Sequence, residues 1–425
     1  MTIGIGVIGA GTVGGGVIAT VRGNGHVVGL HAGQEIALAH VCELNQACLE
    51  GLDLEGVKVT KDAYTLIDDS HVAVVCELIG GIEPAKTFIL EALRAGKHVV
   101  TANKMLLAHH GAELARVAVE SNVELRFEAA VAGGIPIIKA LREGLAANNI
   151  EYVYGILNGT CNYILSRMTY EGLEFDDALE QAIRLGFAER PPDLDINGHD
   201  TAHKCQIIAS LSFGTEVPLE QIYVEGIANV THADVANALE MGYLIKLLAI
   251  VRRVDGAIEA RVHPTLVPAN HLLASVRNEF NAVFVQSDIA DATLYYGRGA
   301  GRMPTASAVV ADIIDIARRG NGPPPRPFVY DRNLEVRDIG SIMSRYYLRL
   351  TVLDMPGVLG KVCTILGSHG VSIASCIQKE EQQMNQPVHV VMMMHETNES
   401  ALRSALAEID KLDFVREPTH VLRVL

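Results

Sequence analysis

The sequence predicts an α/β protein with three parts: a doubly wound parallel sheet, an α+β unit, and a small C-terminal unit of βαββαβ order. Three observations predict it. An apolar strand at 3–8 runs directly into Gly9-Ala10-Gly11-Thr12-Val13-Gly14, and a helix opens at Thr12 and continues to about Arg22. Segments rich in β-branched residues at 36–41, 72–79, 98–101 and 123–127 then alternate with helical stretches, as a parallel sheet requires. Finally, Gly320-Asn321-Gly322-Pro323-Pro324-Pro325-Arg326-Pro327 interrupts the chain, because glycine and consecutive prolines exclude helix and central strand alike.

The elements follow in order. Pro84 suits a first helical position and Gly96 a C-terminal cap, which brackets the helix before the strand at 98–101. After about Ala129 the pattern changes to longer strands at 150–157 and 282–286, interleaved with helices near 162–170, 176–185 and 200–211. Gly297 to Gly301 predicts a flexible loop, and Pro304 to Arg319 a helix that returns to the first domain. The expected division is therefore 1–130 plus about 300–320, then 131–300, a linker at 321–344, and a final domain at 345–425. That last domain reads as strand 346–353, helix 358–367, strands 371–378 and 388–394, helix 400–412 and strand 419–424, a ferredoxin-like arrangement.

A length of 425 residues suits two to three domains, and 49 % hydrophobic against 20 % charged residues is a globular balance. The net charge of −15, with no run of Lys and Arg, argues against a nucleic-acid partner and for a small molecule. Seven cysteines without a C-x-x-C pair read as thiols in a reducing compartment. No leader-like start precedes the first strand and no apolar run approaches the ~18 residues of a membrane span, so the expected location is the cytoplasm.

The glycine loop gains meaning from its context between strand and helix. Gly9 permits the tight turn, Gly11 lets the backbone approach a pyrophosphate, and Gly14 allows close helix–strand packing, with the phosphates on the helix N-terminus. Residues Gly9, Ala10, Gly11, Thr12, Val13 and Gly14 are thus the expected seat of a nicotinamide dinucleotide, in a Rossmann domain of a dehydrogenase. An acidic residue ending the second strand should hold the adenosine ribose. Glu43 is the candidate, after a glycine-containing insertion at 23–34 that lengthens the usual ~20-residue spacing.

Asp193-Leu194-Asp195-Ile196-Asn197-Gly198 begins like a calcium loop, but the twelfth position, where a bidentate Glu belongs, is Lys204. Calcium is excluded there. What remains is a dense set of titratable groups: Glu189, Asp193, Asp195, Asp200 and Lys204. Asp200 and Lys204 stand four apart on a helix starting near Gly198 and so share a face. A surface ion pair beside an acidic loop is one reading. The other is catalytic: reducing a carbonyl by hydride transfer leaves an alkoxide that must receive a proton, which a lysine held by a carboxylate can donate. The histidines, including His109, His110, His199 and His203, show no metal-ligand spacing.

The stretch Ala182-Ile183-Arg184-Leu185-Gly186-Phe187-Ala188-Glu189 through Pro192, Asp195, Gly198, Asp200 and Lys204 resembles the signature of the homoserine dehydrogenases. Similar too are Glu77-Leu78-Ile79-Gly80-Gly81, Thr101-Ala102-Asn103-Lys104, Phe127 through Pro136, Asn158-Gly159-Thr160-Cys161-Asn162-Tyr163 and Gly297-Arg298-Gly299-Ala300-Gly301. The resemblance runs from residue 3 to about 320 in the family's order. It implies NAD(P)-dependent interconversion of L-aspartate 4-semialdehyde and L-homoserine, within threonine, methionine and isoleucine biosynthesis.

By position, the resemblance puts substrate-binding acids at Glu189 and Asp200, a further acid near the substrate at Asp195, the proton donor at Lys204, and a lysine facing cofactor and substrate at Lys104. Thr101, Gly186 and Gly301 match positions lining the cofactor. A sodium ion is implied at Glu128 and the backbone carbonyls of Val131, Gly133 and Ile135, oxygen ligands of the kind a hard cation takes. Two departures stand out. Pro191-Pro192 replaces the family's usual Asp-Pro after the glutamate, and Cys42-Glu43 supplies no basic residue for a 2′-phosphate, which favours NAD over NADP although Lys58 and Lys61 are near in sequence.

The last domain, with Tyr346 to Leu350, Asp354-Met355-Pro356-Gly357-Val358-Leu359 and Ile373-Ala374-Ser375, resembles an ACT domain. That implies an amino-acid effector, threonine being the natural candidate, with its carboxylate at the helix N-terminus after Gly357. A homodimer or homotetramer is expected. The competing readings are another amino-acid semialdehyde dehydrogenase and an ACT-containing amino-acid sensor with an inactive Rossmann scaffold.

Overall fold

The computed structural model describes residues 2–319, 322–378 and 386–425; Gly320 and Asn321 of the expected linker lie outside the described residues. By internal contacts the chain forms two compact units, each assembled from three segments. The first comprises residues 1–159, 200–220 and 279–334; the second comprises 160–199, 221–278 and 335–425.

In the first unit the apolar β-branched segments become β1 (Thr2–Ile8), β2 (Glu35–Cys42), β4 (Val74–Glu77), β5 (His98–Thr101) and β6 (Leu125–Arg126), and a short strand that the sequence reading missed, β3 (Lys58–Thr60), joins them. They form one six-stranded sheet of order β3-β2-β1-β4-β5-β6, parallel throughout. This is the doubly wound order whose crevice opens at the carboxyl ends of the strands, where the strand order reverses between the paired β1 and β4. The helices α1 (Thr12–Gly23), α2 (Gly25–Ala32), α3 (Ala63–Ile67), α4 (Ala85–Arg94) and α5 (Lys104–Glu120) accompany it. Pro84 caps α4 rather than occupying its first turn, and Gly96 follows the helix in the left-handed region at φ 75°.

The insertion at 23–34 is largely helical: α2 spans most of it, and Val28 and Ala32 are buried in the core with Val17, Val21 and Leu38. The helix Arg302–Arg319 returns from late in the chain to that same core through Ala306, Val309, Ile313 and Ile316. The loop expected at 297–301 is shorter, since Gly297 and Arg298 still belong to the strand Asp291–Arg298, paired with Phe280 and Asn281. In this unit Phe280–Ser287 pairs antiparallel with that strand on one side and with Ile150–Ile156 on the other.

Gly14 shows how tightly the first turn is built. A Cβ there would stand 1.8 Å from the carbonyl oxygen of Gly9, which is backbone and cannot rotate away. Gly14→Ala should therefore cost at least ~2 kcal/mol, read as a lower thermal midpoint, and weaken dinucleotide binding together with stability.

In the second unit the sequence reading missed the long hairpin Tyr243–Val254/Ala257–Pro268, turned by Asp255 and Gly256 at φ 50° and 80°. The C-terminal strands Met343–Leu353, Ile373–Gln378, Pro387–Met394 and Val415–Val424 pair antiparallel, in the spatial order fourth, first, third, second. Helices Val358–Ser368 and Glu399–Ile409 cover the face that buries Tyr346, Leu348, Leu350, Val390 and Met392. On Met343–Leu353, Tyr347 and Arg349 instead reach Asp234 of the helix His232–Glu240, with the Arg349 guanidinium donating at 2.7 and 3.2 Å and the Tyr347 hydroxyl at 3.0 Å. Burial opposes charge on Asp234, but His420 and Arg349 outweigh it and hold the carboxyl well below the usual range.

No helix among the described residues is long and apolar enough to cross a membrane. All seven cysteines are free thiols.

Candidate active site

The glycine loop leaves β1 with Gly9 at φ 91°, a conformation that only glycine adopts without strain. Its N–H donates to the Cys42 carbonyl at 2.9 Å, and the Ala10 N–H donates to Glu43 Oε2 at 2.6 Å. Glu43 therefore stands at the end of β2 against the turn, where the ribose acid of this fold belongs. Beyond Gly11 the space where a side chain would project is open, with no heavy atom within 4 Å of its ideal Cβ. A phosphate can thus approach the backbone at Gly11, as a dinucleotide requires. Lys58, near enough in sequence to serve a 2′-phosphate, is paired with Asp69 at 2.7 Å.

Two short motifs build the next wall. The buried Glu77 carboxylate, at the end of β4, accepts hydrogen bonds from the N–H groups of Ile79 and Gly80 and from Thr101 Oγ1 at 2.7 Å. Burial nonetheless pushes the Glu77 carboxyl up. Thr101 Oγ1 accepts the Asn103 N–H, and the Asn103 side chain caps α5 at the Leu106 N–H while donating to the Gly81 carbonyl. The chain of contacts from β4 to α5 fixes the residue that opens the helix, Lys104.

Lys104, Asp200 and Lys204 come together. Asp200 lies in the first turn of the helix His199–Phe213, a helix buried along most of its length. Its Oδ1 accepts Lys104 Nζ at 2.9 Å, and its Oδ2 accepts Lys204 Nζ at 2.6 Å and Asn158 Nδ2 at 2.9 Å. Lys204 also donates to the Leu157 carbonyl at 2.8 Å. Burial opposes charge on Asp200, but Lys204 and Lys104 win and hold its carboxyl far below the usual range. Lys204 is 8 % exposed, whereas the Lys104 side chain is 41 % exposed. The arrangement is a fixed carboxylate that orients one buried and one accessible ammonium group. The sequence does not single out the Leu157 carbonyl or Asn158 for this role, although Asn158 begins one of the stretches similar to the family.

Glu189 and Asp195 belong to the second unit. Glu189 is exposed, between the helix Phe175–Arg184 and the short helix Asp193–Ile196 that holds Asp195. Gly186 takes φ 75° after the first of these helices, and the Asp195 carbonyl accepts Cys161 Sγ at 3.2 Å. In the first unit the turn Val131–Ile135 is buried except at Gly134 and carries positive φ at Ala132 and Gly133. The Glu128 carboxylate beside it accepts the N–H groups of Ile138 and Lys139 at 2.9 and 2.8 Å. Among the described residues no group of three or more His, Cys, Asp and Glu side chains could hold a metal ion. In the C-terminal domain a cleft opens between Asp354, Met355, Pro356, Gly357, Val358 and Gln378, with Gly357 at φ 91° just before the helix Val358–Ser368.

A dinucleotide seat at the crevice of a doubly wound sheet, with a lysine rising from the end of β5, is the equipment of a nicotinamide-dependent oxidoreductase. Comparison with known proteins narrows the class, and the chain belongs to the homoserine dehydrogenase family. The model of homoserine dehydrogenase matches residues 136–314, that of its NAD binding domain residues 9–128, and that of the ACT domain residues 346–414. The homoserine dehydrogenase of Neisseria gonorrhoeae is 44 % identical over 429 residues, covering 99 % of this chain and 98 % of that one. That of Pseudomonas aeruginosa is 42 % identical with the same coverage. The crystal structure of a homoserine dehydrogenase from Thiobacillus denitrificans superimposes with a TM-score of 0.94 at 43 % identity, over 100 % of this chain and 98 % of that one. A hyperthermophilic archaeal homoserine dehydrogenase solved in complex with NADPH gives a TM-score of 0.62 at 27 % identity, over 74 % of this chain and 98 % of that one.

Proposed function

We propose that this chain interconverts L-aspartate 4-semialdehyde and L-homoserine with Lys204 as the proton donor. The observation that carries the reading is the Lys104–Asp200–Lys204 cluster, built around one buried carboxylate. When bound, the reduced dinucleotide supplies the hydride that reaches the aldehyde carbon. Lys204 gives a proton to the aldehyde oxygen as it gains charge, and Asp200 keeps that ammonium group charged and aimed. Lys104, the accessible cation, lies against the same oxygen and lowers the cost of its developing charge. Glu189 takes the substrate ammonium, with Asp195 beside it, while Thr101, Gly186 and Gly301 line the cofactor. A sensor on an inert scaffold has no use for such a cluster, in which two ammonium groups converge on one buried carboxylate at the cost of desolvating it.

NAD is the favoured cofactor, because Glu43 repels a 2′-phosphate. Homoserine oxidation with NAD and NADP side by side tests both the reaction and this preference. Glu43→Gln keeps an acceptor for the Ala10 N–H but removes the charge, and it should shift the ratio of kcat/KM values toward NADP by ~10-fold or more. An unchanged ratio would remove Glu43 from cofactor selection.

The functional division we favour is 1–130 plus about 300–320 for the dinucleotide, 131–300 for catalysis and dimerisation, 321–344 as linker and 345–425 for regulation. A sodium ion bracing the turn would take the carbonyls of Val131, Gly133 and Ile135 together with Glu128, an all-oxygen set suited to a hard cation. Threonine is the proposed effector, its carboxylate meeting the N–H groups after Gly357 and its ammonium group Asp354. A homodimer, with a homotetramer built from it, is supported by an uncovered sheet face on which Tyr152, Tyr154 and Phe284 stack and Leu294 and Tyr296 stand exposed. Free thiols throughout favour the cytoplasm, and the reaction fits threonine, methionine and isoleucine biosynthesis.

A further inference from the structure

Asn281, the second residue of the strand Phe280–Ser287, is 1 % exposed, yet neither its Nδ2 nor its Oδ1 has a hydrogen-bond partner among the described residues. An amide left unpaired in the interior is costly, and each such group calls for a specific explanation, a functional role being one. Its surroundings are two glycine loops. A Cβ on Gly299 would stand 2.0 Å from Asn281 Nδ2, so the amide packs directly against the backbone of the Gly299–Gly301 loop. A Cβ on Gly159 would come within 2.7 Å of the neighbouring Glu279 carbonyl and 3.6 Å of Asn281 Oδ1.

Each loop is tied to a different half of the chemistry. Gly299 is pressed from the other side by Gly133, whose Cβ would approach the Gly299 carbonyl to 2.5 Å, and the Gly134 N–H donates to the Arg298 carbonyl. Directly after the loop, Arg302 donates to the Gly15 carbonyl at 3.2 Å, on the helix that follows the dinucleotide turn. The Leu157–Gly159 turn carries the Leu157 carbonyl that holds Lys204 and the Asn158 amide that holds Asp200. Asn281 is the side chain between them.

We infer that Asn281 is a positioning residue: when the dinucleotide binds, its amide pairs with the backbone of the Gly299–Gly301 loop and locks that loop against the turn that holds Asp200 and Lys204. The inference rests on the reading that this loop lines the cofactor. Asn281→Leu keeps the number and branching of the side-chain heavy atoms and removes both polar atoms. Because the amide is unpaired without the dinucleotide, both readings predict an equal or higher thermal midpoint in the absence of cofactor, and the kinetics divide them. A purely structural amide leaves the kinetics unchanged, whereas a positioning amide predicts a KM for the dinucleotide raised by ~10-fold, the equilibrium equivalent of about one hydrogen bond.

Amide hydrogen exchange at 297–301 and 157–159, with and without NAD, separates this inference from the reading beneath it. The expected result is slowed exchange on NAD binding in the parent, lost in Asn281→Leu. Equal slowing in both proteins overturns the role of Asn281 and leaves the loop as a cofactor wall. No slowing in the parent overturns both. If Asn281→Leu does not fold, Asn281→Ala removes the same polar atoms and carries the same test.

Discussion

Lys204→Met should lower kcat for homoserine oxidation by ~10²–10⁴-fold while leaving dinucleotide affinity within a few-fold of the parent. Methionine approximates the lysine stem, so the buried helix His199–Phe213 keeps its packing, and Asp200 retains Lys104 and Asn158 as partners. What disappears is the one ammonium group held jointly by Asp200 and the Leu157 carbonyl. Steady-state kinetics together with cofactor titration by fluorescence checks the separation. A kcat that stays within about tenfold of the parent would transfer the proton-donor role elsewhere.

Asp200→Asn should damage both stability and turnover. The substitution keeps the shape but leaves two cations, one of them buried, without the anion between them. Removing one partner of a buried pair costs ~3–5 kcal/mol, with the lower end expected here because the half-exposed Lys104 is screened by water. Misplacing Lys204 should lower kcat/KM by ~10²-fold. The pH dependence has a definite sign. Lys204 and Lys104, working against burial, hold the folded carboxyl below its unfolded value. Asp200 therefore adds stability above the unfolded value of ~3.9, and that stability is lost as pH falls through the folded value. Acid unfolding of the parent should include this loss, and the Asp200→Asn protein should lack it. Denaturant midpoints measured across the acid range decide the matter.

Features that depend on near neighbours were legible in the sequence. The glycine turn, the strand alternation and the i,i+4 relation of Asp200 to Lys204 are local patterns, and each has its counterpart in the structure. The helix at 25–32 escaped notice because Gly25 and Gly29 lower its intrinsic propensity, and burial of Val28 and Ala32 overrides that cost. The hairpin at 243–268 carried a readable signal that went unused, Asp255-Gly256 between apolar runs. Other contacts had no readable signal. The hold of the Leu157 carbonyl on Lys204 is made by main chain, which no residue type announces, and Asn281 meets Gly299 only because the strand and the loop fold side by side. Individual roles for Lys104 and Glu189 came from family resemblance, since spacing alone does not distinguish them from solvated charges.

The late helix Arg302–Arg319 also sets a schedule for biosynthesis. Its Ala306, Val309 and Ile313 share one core with Ile5, Val17 and Val21, so the amino-terminal sheet is synthesised long before the piece that closes it. At ~5–20 residues added per second, the ribosome holds that core open for tens of seconds. During that interval the nascent sheet exposes the surface that α1 and its neighbours later share with Arg302–Arg319, which makes it a natural client for chaperones that shield apolar surface on growing chains.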